Sequence, residues 1–357
     1  MPSFADELPS FTRELRAAVD AAGGAIPFDR FMSLALYGSG GFYSTGGRAG
    51  RRGDFITSPE VGPLFGAVLA RAIDGWWHEL GEPDDFTVVE VGAGPGTLAR
   101  SVLAAEPRCR PRYVAVEVAE GQRATHPEGV TSLPGLPDGT ITGVVIANEL
   151  LDNLPFRLAV FDGVWREAFV LIGRDGSPQE MLSIPIDPLP DWLPARAAHG
   201  SRVPIQTEAA QWVRRAAGSL ERGRVVAFDY CVARTTELAM RPWREWLRTY
   251  RAHERGAHYL VDAGMQDITT EVCLDQLPPA DATRTQAQFL QRWGIGELVE
   301  EGRREWAAAA SAPTLRALTM RSRVREAEAL LDPQGLGAFT VAEWMCEHDQ
   351  AEHPSHR

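Results

Sequence analysis

The stretch Glu90-Val91-Gly92-Ala93-Gly94-Pro95-Gly96-Thr97 constrains this chain more than any other. It follows the apolar run Phe86-Thr87-Val88-Val89 and leads into Leu98-Ala99-Arg100-Ser101-Val102-Leu103-Ala104-Ala105. That order reads as a β-branched strand, a glycine turn and the start of an amphipathic helix. Three glycines on alternate positions permit positive φ and keep side chains off whatever lies against the turn. The helix behind them aims its free N–H groups and its positive dipole end at the same spot. Such a turn builds a nucleotide-type cofactor site.

The glycine spacing separates the cofactors. A dinucleotide fingerprint places its third glycine three residues after the second, for helix–strand packing. Here the glycines fall at 92, 94 and 96, giving E-x-G-x-G-x-G. A carboxylate at Glu90 would repel a pyrophosphate, whereas it can accept a bond from the ammonium or a water of a zwitterionic ligand. The pattern therefore points to S-adenosyl-L-methionine rather than NAD. Glu117 closes the next strand, where an acid takes ribose hydroxyls. A P-loop is excluded, because no G-K-[ST] follows the glycines and the chain contains no lysine. No G-x-S-x-G nucleophile elbow occurs either.

The surrounding pattern is α/β. Residues Phe11 to Tyr37 keep a helical period, and a loop dense in glycine spans Gly38 to Phe55. Loops of that length inside a packed chain tend to be lids or binding loops. Thr57-Ser58-Pro59-Glu60 carries a helix-entry signal, with Ser58 as N-cap and Pro59 in the first turn of a helix running to Trp77. From Phe86 onward, buried strands at Val88, at Tyr113 to Val118 and at Gly143 to Ala147 alternate with helices, which implies a mostly parallel sheet covered on both faces. Arg157 to Ile172 reads as a β-hairpin with its turn at Asp162-Gly163. Helices at Gln206 to Leu220 and Thr285 to Trp293, and strands at Arg224 to Tyr230, Ile268 to Val272 and Ala338 to Ala342, complete the reading. The expected organisation is a helical lid region over residues 1–80 and an α/β domain over 81–357, with an insertion at about 157–222.

Asn148-Glu149-Leu150-Leu151-Asp152 lies at the carboxyl end of a strand, where open α/β sheets place ligands. Two carboxylates three residues apart could grip a cationic or amide nucleophile beside a methyl donor. Asp54 and Glu60 flank Thr57-Ser58-Pro59 and could face either cofactor or substrate. His253 and His258 carry no such pattern, and lone histidines are mostly structural.

These motifs together resemble one family. Gly41-Phe42-Tyr43, Gly53-Asp54-Phe55-Ile56-Thr57-Ser58-Pro59-Glu60, Phe65-Gly66, Glu90 to Leu98, Asn148-Glu149-x-x-Asp152-x-Leu154-Pro155 and Asp229-Tyr230 stand in the order of the MidA family of S-adenosylmethionine-dependent methyltransferases. That family includes the mitochondrial complex I assembly factor 7. The later Leu247-Arg248-Thr249-Tyr250-Arg251-Ala252-His253 and Gly264 to Thr269 also match its pattern. The resemblance implies a class I methyltransferase sheet with a helical N-terminal lid and, for the mitochondrial member, methylation of a protein arginine. The chain departs from the family at Pro95 (usually arginine), at Arg100 (usually an acid), at Leu150 and Leu151 (usually aromatic), at Val61-Gly62-Pro63, where the family usually has a polar pair, and at Cys231 (usually glycine).

The expected cofactor residues are Glu90, Gly92, Gly94, Gly96, Thr97, Glu117, Asn148, Pro59 and Glu60; the expected catalytic residues are Glu149, Asp152 and Asp54. The expected function is S-adenosyl-L-methionine-dependent methylation of a protein arginine, with a respiratory-complex subunit as a candidate acceptor. A non-catalytic cofactor-binding assembly factor and a small-molecule methyltransferase are the alternatives. A formal charge of −12 argues against nucleic acid as partner. No run approaches the ~18 apolar residues of a membrane span. The widely spaced Cys109, Cys231, Cys273 and Cys346 offer no metal-ligand spacing and suit a reducing cytoplasm. A homodimer is compatible with this reading.

Overall fold

The computed structural model describes residues 10–44, 57–251, 254–309, 311–312 and 314–347. The chain divides into two units, each discontinuous in sequence. One comprises Met1–Glu60, Glu149–Trp212 and Asp229–Pro279, the other Val61–Asn148, Val213–Phe228 and Ala280–Arg357. The boundaries read from sequence, at residue 80 and at 157–222, do not coincide with this division.

The second unit carries a seven-stranded sheet: β1 (Thr87–Val91), β2 (Arg112–Val116), β3 (Thr131–Leu133), β4 (Ile141–Asn148), β5 (Leu220–Asp229), β6 (Ala282–Thr285) and β7 (Thr340–Glu347). Their order is β6-β7-β5-β4-β1-β2-β3. The run from β5 to β3 is parallel, and β6 pairs with β7 antiparallel. This is the mostly parallel sheet expected from the continuous Val/Ile runs. Every residue of β1 is buried, as a strand covered on both faces requires. Helix α1 (Pro63–Glu79) contributes Leu64, Phe65, Val68, Ile73 and Trp76 to a core shared with Val88, Val144, Val226 and Phe289. Phe65 meets Phe228 edge-on at 5.4 Å between ring centroids.

Two glycines let the central strands approach. A Cβ on Gly143 (φ 156°) would lie 1.9 Å from the Thr87 carbonyl oxygen, and one on Gly223 (φ 144°) 1.8 Å from that of Gly143. Neither obstacle is a side chain that could swing away. Gly143→Ala is therefore expected to destabilise the fold by about 3 kcal/mol. An unchanged urea midpoint would contradict the close approach.

The helix entry differs from the sequence reading. Ser58–Val61 forms a separate four-residue helix, and α1 begins at Pro63 after an extended Gly62 (φ 161°). The α1 N-terminus is capped by Glu326 from the helix Leu315–Leu330, whose Oε2 accepts the Leu64 N–H at 2.8 Å. A Cβ on Gly62 would sit 2.3 Å from that carboxyl carbon. The break escaped the periodicity because Val61, Leu64, Phe65 and Val68 keep helical spacing across it.

The first unit carries a mixed set of smaller sheets. The predicted hairpin is present as Arg157–Phe161 and Trp165–Ile172, with Phe161 opposite Trp165. It is widened by Arg202–Ile205, Pro178–Pro185 and Ala25–Pro27. The last of these lies inside the stretch read as purely helical, between helices Ser10–Ala21 and Phe28–Tyr37. Phe28, Phe31, Phe156, Leu158, Trp165, Trp246 and Tyr259 anchor this unit's own core. A three-stranded sheet orders Glu254–Arg255, Leu247–Arg251 and Asp267–Thr270.

Candidate functional site

The glycine turn follows β1, whose neighbours β2 and β4 lie on opposite sides. That is the topological switch point of the sheet, where open α/β proteins bind ligands. Gly92, Gly94 and Gly96 adopt φ of 72°, 52° and 79°, all in the left-handed region that favours glycine. Helix α2 (Thr97–Ala104) starts directly after them.

The turn is clamped from one side. The Gly92 and Ala93 N–H groups donate to the Val116 carbonyl at 2.9 and 3.0 Å. His126 Nε2 lies 2.9 Å from the Gly94 carbonyl, so it carries the proton of that bond. Cβ atoms on Gly94 and Gly96 would meet Gln122, His126 and Pro127 of this clamp. The bare backbone at these two positions thus admits the chain's own 122–127 segment.

The same geometry accounts for two departures from the family pattern. Arg100, on α2, donates to the Pro95 carbonyl at 2.7 Å and to the Thr125 carbonyl at 3.0 Å. With Pro95 in the turn, a guanidinium reaches the turn from the helix behind it.

Glu117 follows the end of β2 and is 8% exposed. Its Oε2 accepts the Gly94 N–H at 2.9 Å, and its Oε1 accepts the Ala119 N–H at 2.8 Å. Glu90 lies deeper, and its Oε2 accepts the Tyr113 hydroxyl at 2.7 Å. Burial pushes the Glu90 carboxyl up to about 7, against the Tyr113 hydroxyl, which pulls it down. A donor cofactor whose ammonium needs Glu90 ionised should therefore bind more weakly as pH falls through about 7. Tyr113→Phe removes a bond to the charged form and should move that fall to higher pH, as calorimetric titration across pH would show. An unmoved profile would separate Glu90 from the ligand's charge.

The first unit gathers a second group of acids. Glu149 follows β4 with φ 51°, a strained value for a residue with a side chain. Its Oε1 accepts the Ser58 N–H at 3.3 Å and its Oε2 the Tyr230 hydroxyl at 2.9 Å. Asp229 holds the turn Leu151–Asn153, because its Oδ2 accepts the Leu151 and Asp152 N–H groups at 2.9 and 3.3 Å. Asp152 accepts the Thr269 hydroxyl through Oδ2, while its Oδ1 takes no hydrogen bond among the described residues. Asp267 accepts from Asn153 Nδ2 at 3.0 Å and from the Tyr43 hydroxyl at 3.1 Å. Tyr37 stacks on Tyr43 at 5.5 Å between centroids.

Burial dominates the acidity of this group. It pushes Asp152 up to about 7, with Glu149 adding to the rise. Asp267 also rises to about 7, through burial and then the charge of Asp152. Asp229 is held well above the carboxylate range by burial and by Asp152. Among the described residues, none of Asp152, Asp229 and Asp267 is in an ion pair. Asp152, Asp229 and Asp267 therefore keep a proton to higher pH than free carboxyls do. Perturbed carboxylates clustered this way are functional-site candidates.

Of the residues expected from sequence, Glu90, Gly92, Gly94, Gly96 and Glu117 come together at the turn, with Thr97 opening α2. Glu149 and Asp152 belong to the acidic group, and Pro59 is buried beside Ser58 in the short helix that also holds Glu60. Asn148 is the last residue of β4. Asp54 and His253 lie outside the described residues. Sequence reasoning did not single out Tyr43, Asp229 or Asp267 as site residues. Their only signal was membership of the family-like segments Gly41-Phe42-Tyr43, Asp229-Tyr230 and Gly264 to Thr269.

A parallel sheet with an acid-framed glycine turn at its switch point defines a nucleotide-cofactor-binding α/β protein. The family is more specific. The model of a family described as "Putative S-adenosyl-L-methionine-dependent methyltransferase" matches residues 68–292, and the chain belongs to that family. A Drosophila melanogaster protein named protein arginine methyltransferase NDUFAF7 homolog, mitochondrial, is 31% identical over 206 residues, 48% of this chain and 47% of that protein. Its Caenorhabditis elegans namesake is 31% identical over 183 residues, 41% of each. The matches thus span about half or less of the length of these curated relatives. A Burkholderia thailandensis protein crystallised with S-adenosyl-homocysteine aligns with a TM-score of 0.80 at 27% identity, covering 97% of this chain and 94% of that one. The fold class and the family resemblance drawn from the sequence are borne out.

Proposed function

We propose that this protein transfers a methyl group from S-adenosyl-L-methionine to an arginine side chain of another protein. The observation that carries the reading is the cluster of Asp152, Asp229 and Asp267 beside Glu149: burial raises the pKa of all three aspartates, and none of the three is in an ion pair among the described residues. A guanidinium is planar, carries five donors and matches carboxylates two at a time. The names of the fly and nematode relatives support an arginine of a protein as acceptor.

The residues at the turn fit the cofactor. Glu117 would hold the ribose hydroxyls, and Glu90 would act as counter-charge to the ammonium. When bound, the sulfonium supplies an activated methyl group, so the protein's part is positioning and electrostatics. Glu149, fixed by Ser58 and Tyr230, and Asp152, whose buried Oδ1 takes no hydrogen bond among the described residues, would orient the guanidinium. Transfer would form an N–C bond as the C–S bond of the sulfonium breaks and S-adenosyl-L-homocysteine leaves, and one of these carboxylates would take the proton that the attacking nitrogen loses.

The test is to give the purified chain a methyl-labelled donor and an extract depleted of small molecules. Label in protein supports the reading. Label only in an added low-mass fraction selects a small-molecule acceptor, and cofactor binding without any transfer selects an assembly factor. As its setting we propose a reducing cytoplasm, since the four cysteines form no disulfide. A respiratory-complex subunit is a candidate acceptor.

A further inference from the structure

Within the first unit a cavity of about 230 Å³ is lined by Trp243, Arg244, Arg248, Arg255, His258 and Tyr259, among others. It lies against the strand Leu247–Arg251 and the turn Trp243–Glu245. No acidic residue lines it among those described.

The cations around it are unevenly compensated. Arg248 pairs with Glu271 at 2.9 Å. Arg202, whose guanidinium lies 5.1 Å from the Trp243 ring centroid, pairs with Glu180 at 2.6 Å. Arg244 lies 4.9 Å from the same indole and is in no ion pair among the described residues. Arg255 donates to the Arg244 carbonyl at 2.8 Å and likewise meets no carboxylate there. Two uncompensated guanidiniums thus share one cavity on a chain with a formal charge of −12.

His258 adds a directed donor. Its Nδ1 lies 3.3 Å from the Leu260 N–H and accepts it, which leaves the proton on Nε2. Burial and the charges of Arg202 and Arg244 hold the imidazole below its ordinary range, in the neutral form. Its ring packs against Tyr259 at 4.0 Å and edge-on to Trp243 at 5.4 Å.

We propose that this cavity is a binding site for a phosphate monoester. Such a group carries about −1.5 to −2 charge at neutral pH, which matches two free guanidiniums. Its oxygens suit the arginine fork in pairs. The Trp243 and His258 rings give the organic part of the ester an apolar wall. The ester could be a free phosphorylated metabolite or a phosphorylated side chain of a protein. The inference does not rest on the proposed methyl transfer.

Calorimetric titration of the full chain with phenyl phosphate, with a short phosphoserine peptide and with phenylacetate tests it. Binding of either phosphate probe is expected to weaken about tenfold or more in Arg244→Ala and in Arg255→Ala. Arg244→Lys, which keeps the charge and loses the fork, should fall between. Both arginines are exposed, so thermal melts of the variants should match the parent. Stronger binding of the peptide assigns the site to a protein partner, and stronger binding of phenyl phosphate assigns it to a metabolite. The proposal is overturned if neither phosphate binds, if the alanine variants bind like the parent, or if phenylacetate binds as tightly as phenyl phosphate.

Discussion

Asp152→Asn is expected to lower methyl transfer by about a hundredfold or more and, at the same time, to stabilise the fold at alkaline pH. The two effects share one cause. In the fold the Asp152 carboxyl titrates near about 7, against 3.8 for an unperturbed aspartate. Between those values the native state holds a proton that the unfolded state has released, so stability declines as pH rises through the window. Above it the ionised carboxylate must be kept buried beside Asp229, Asp267 and Glu149. Asparagine removes that cost, which linkage puts at about 4 kcal/mol. It also removes the charge that would hold a guanidinium. The difference between parent and variant melts should be small at about pH 4 and fully developed at about pH 8. A variant less stable than its parent at both would mean that Asp152 is a structural acid, chosen for its bond to Thr269.

Glu117 and Glu149 should separate cofactor binding from transfer. Glu117 accepts two N–H groups, from Gly94 and Ala119, so its loss frees two part-buried donors as well as the proposed ribose contact. Glu117→Ala is expected to weaken S-adenosyl-L-methionine binding by about a hundredfold. Glu117→Gln offers one acceptor oxygen where two are used and should recover only part of that. Glu149→Gln should leave cofactor affinity near the parent value and reduce transfer by about a hundredfold. Titration calorimetry with single-turnover transfer on the same variants distinguishes the cases. Equal losses of binding in both variants would dissolve the division of labour.

The cofactor turn was legible in the sequence because its parts are local. A strand, three glycines, a helix and the acid after the next strand fall between Glu90 and Glu117, and each has a local signal. The acidic group was half legible. Glu149 and Asp152 follow a strand end, where position itself argues for function. Asp229, Asp267 and Tyr43 reach the group through pairings such as Tyr250 with Asp267, which no periodicity announces. Ala25–Pro27 was hidden for a similar reason: three residues between two helices become a strand only because Trp165–Ile172 offers them an edge. The helix Leu315–Leu330 left little trace, because one of the few residues it buries is Glu326, placed to cap α1. The exchange at Pro95 and Arg100 looked like two unrelated departures until the guanidinium of one met the carbonyl of the other.

The most direct test of the central claim is amino-acid analysis of protein labelled by the purified chain with a methyl-labelled donor, after complete acid hydrolysis. The account predicts label in methylarginine with the parent chain and its loss with Asp152→Asn. Label recovered on another residue type, or methylarginine formed equally by the variant, would contradict it.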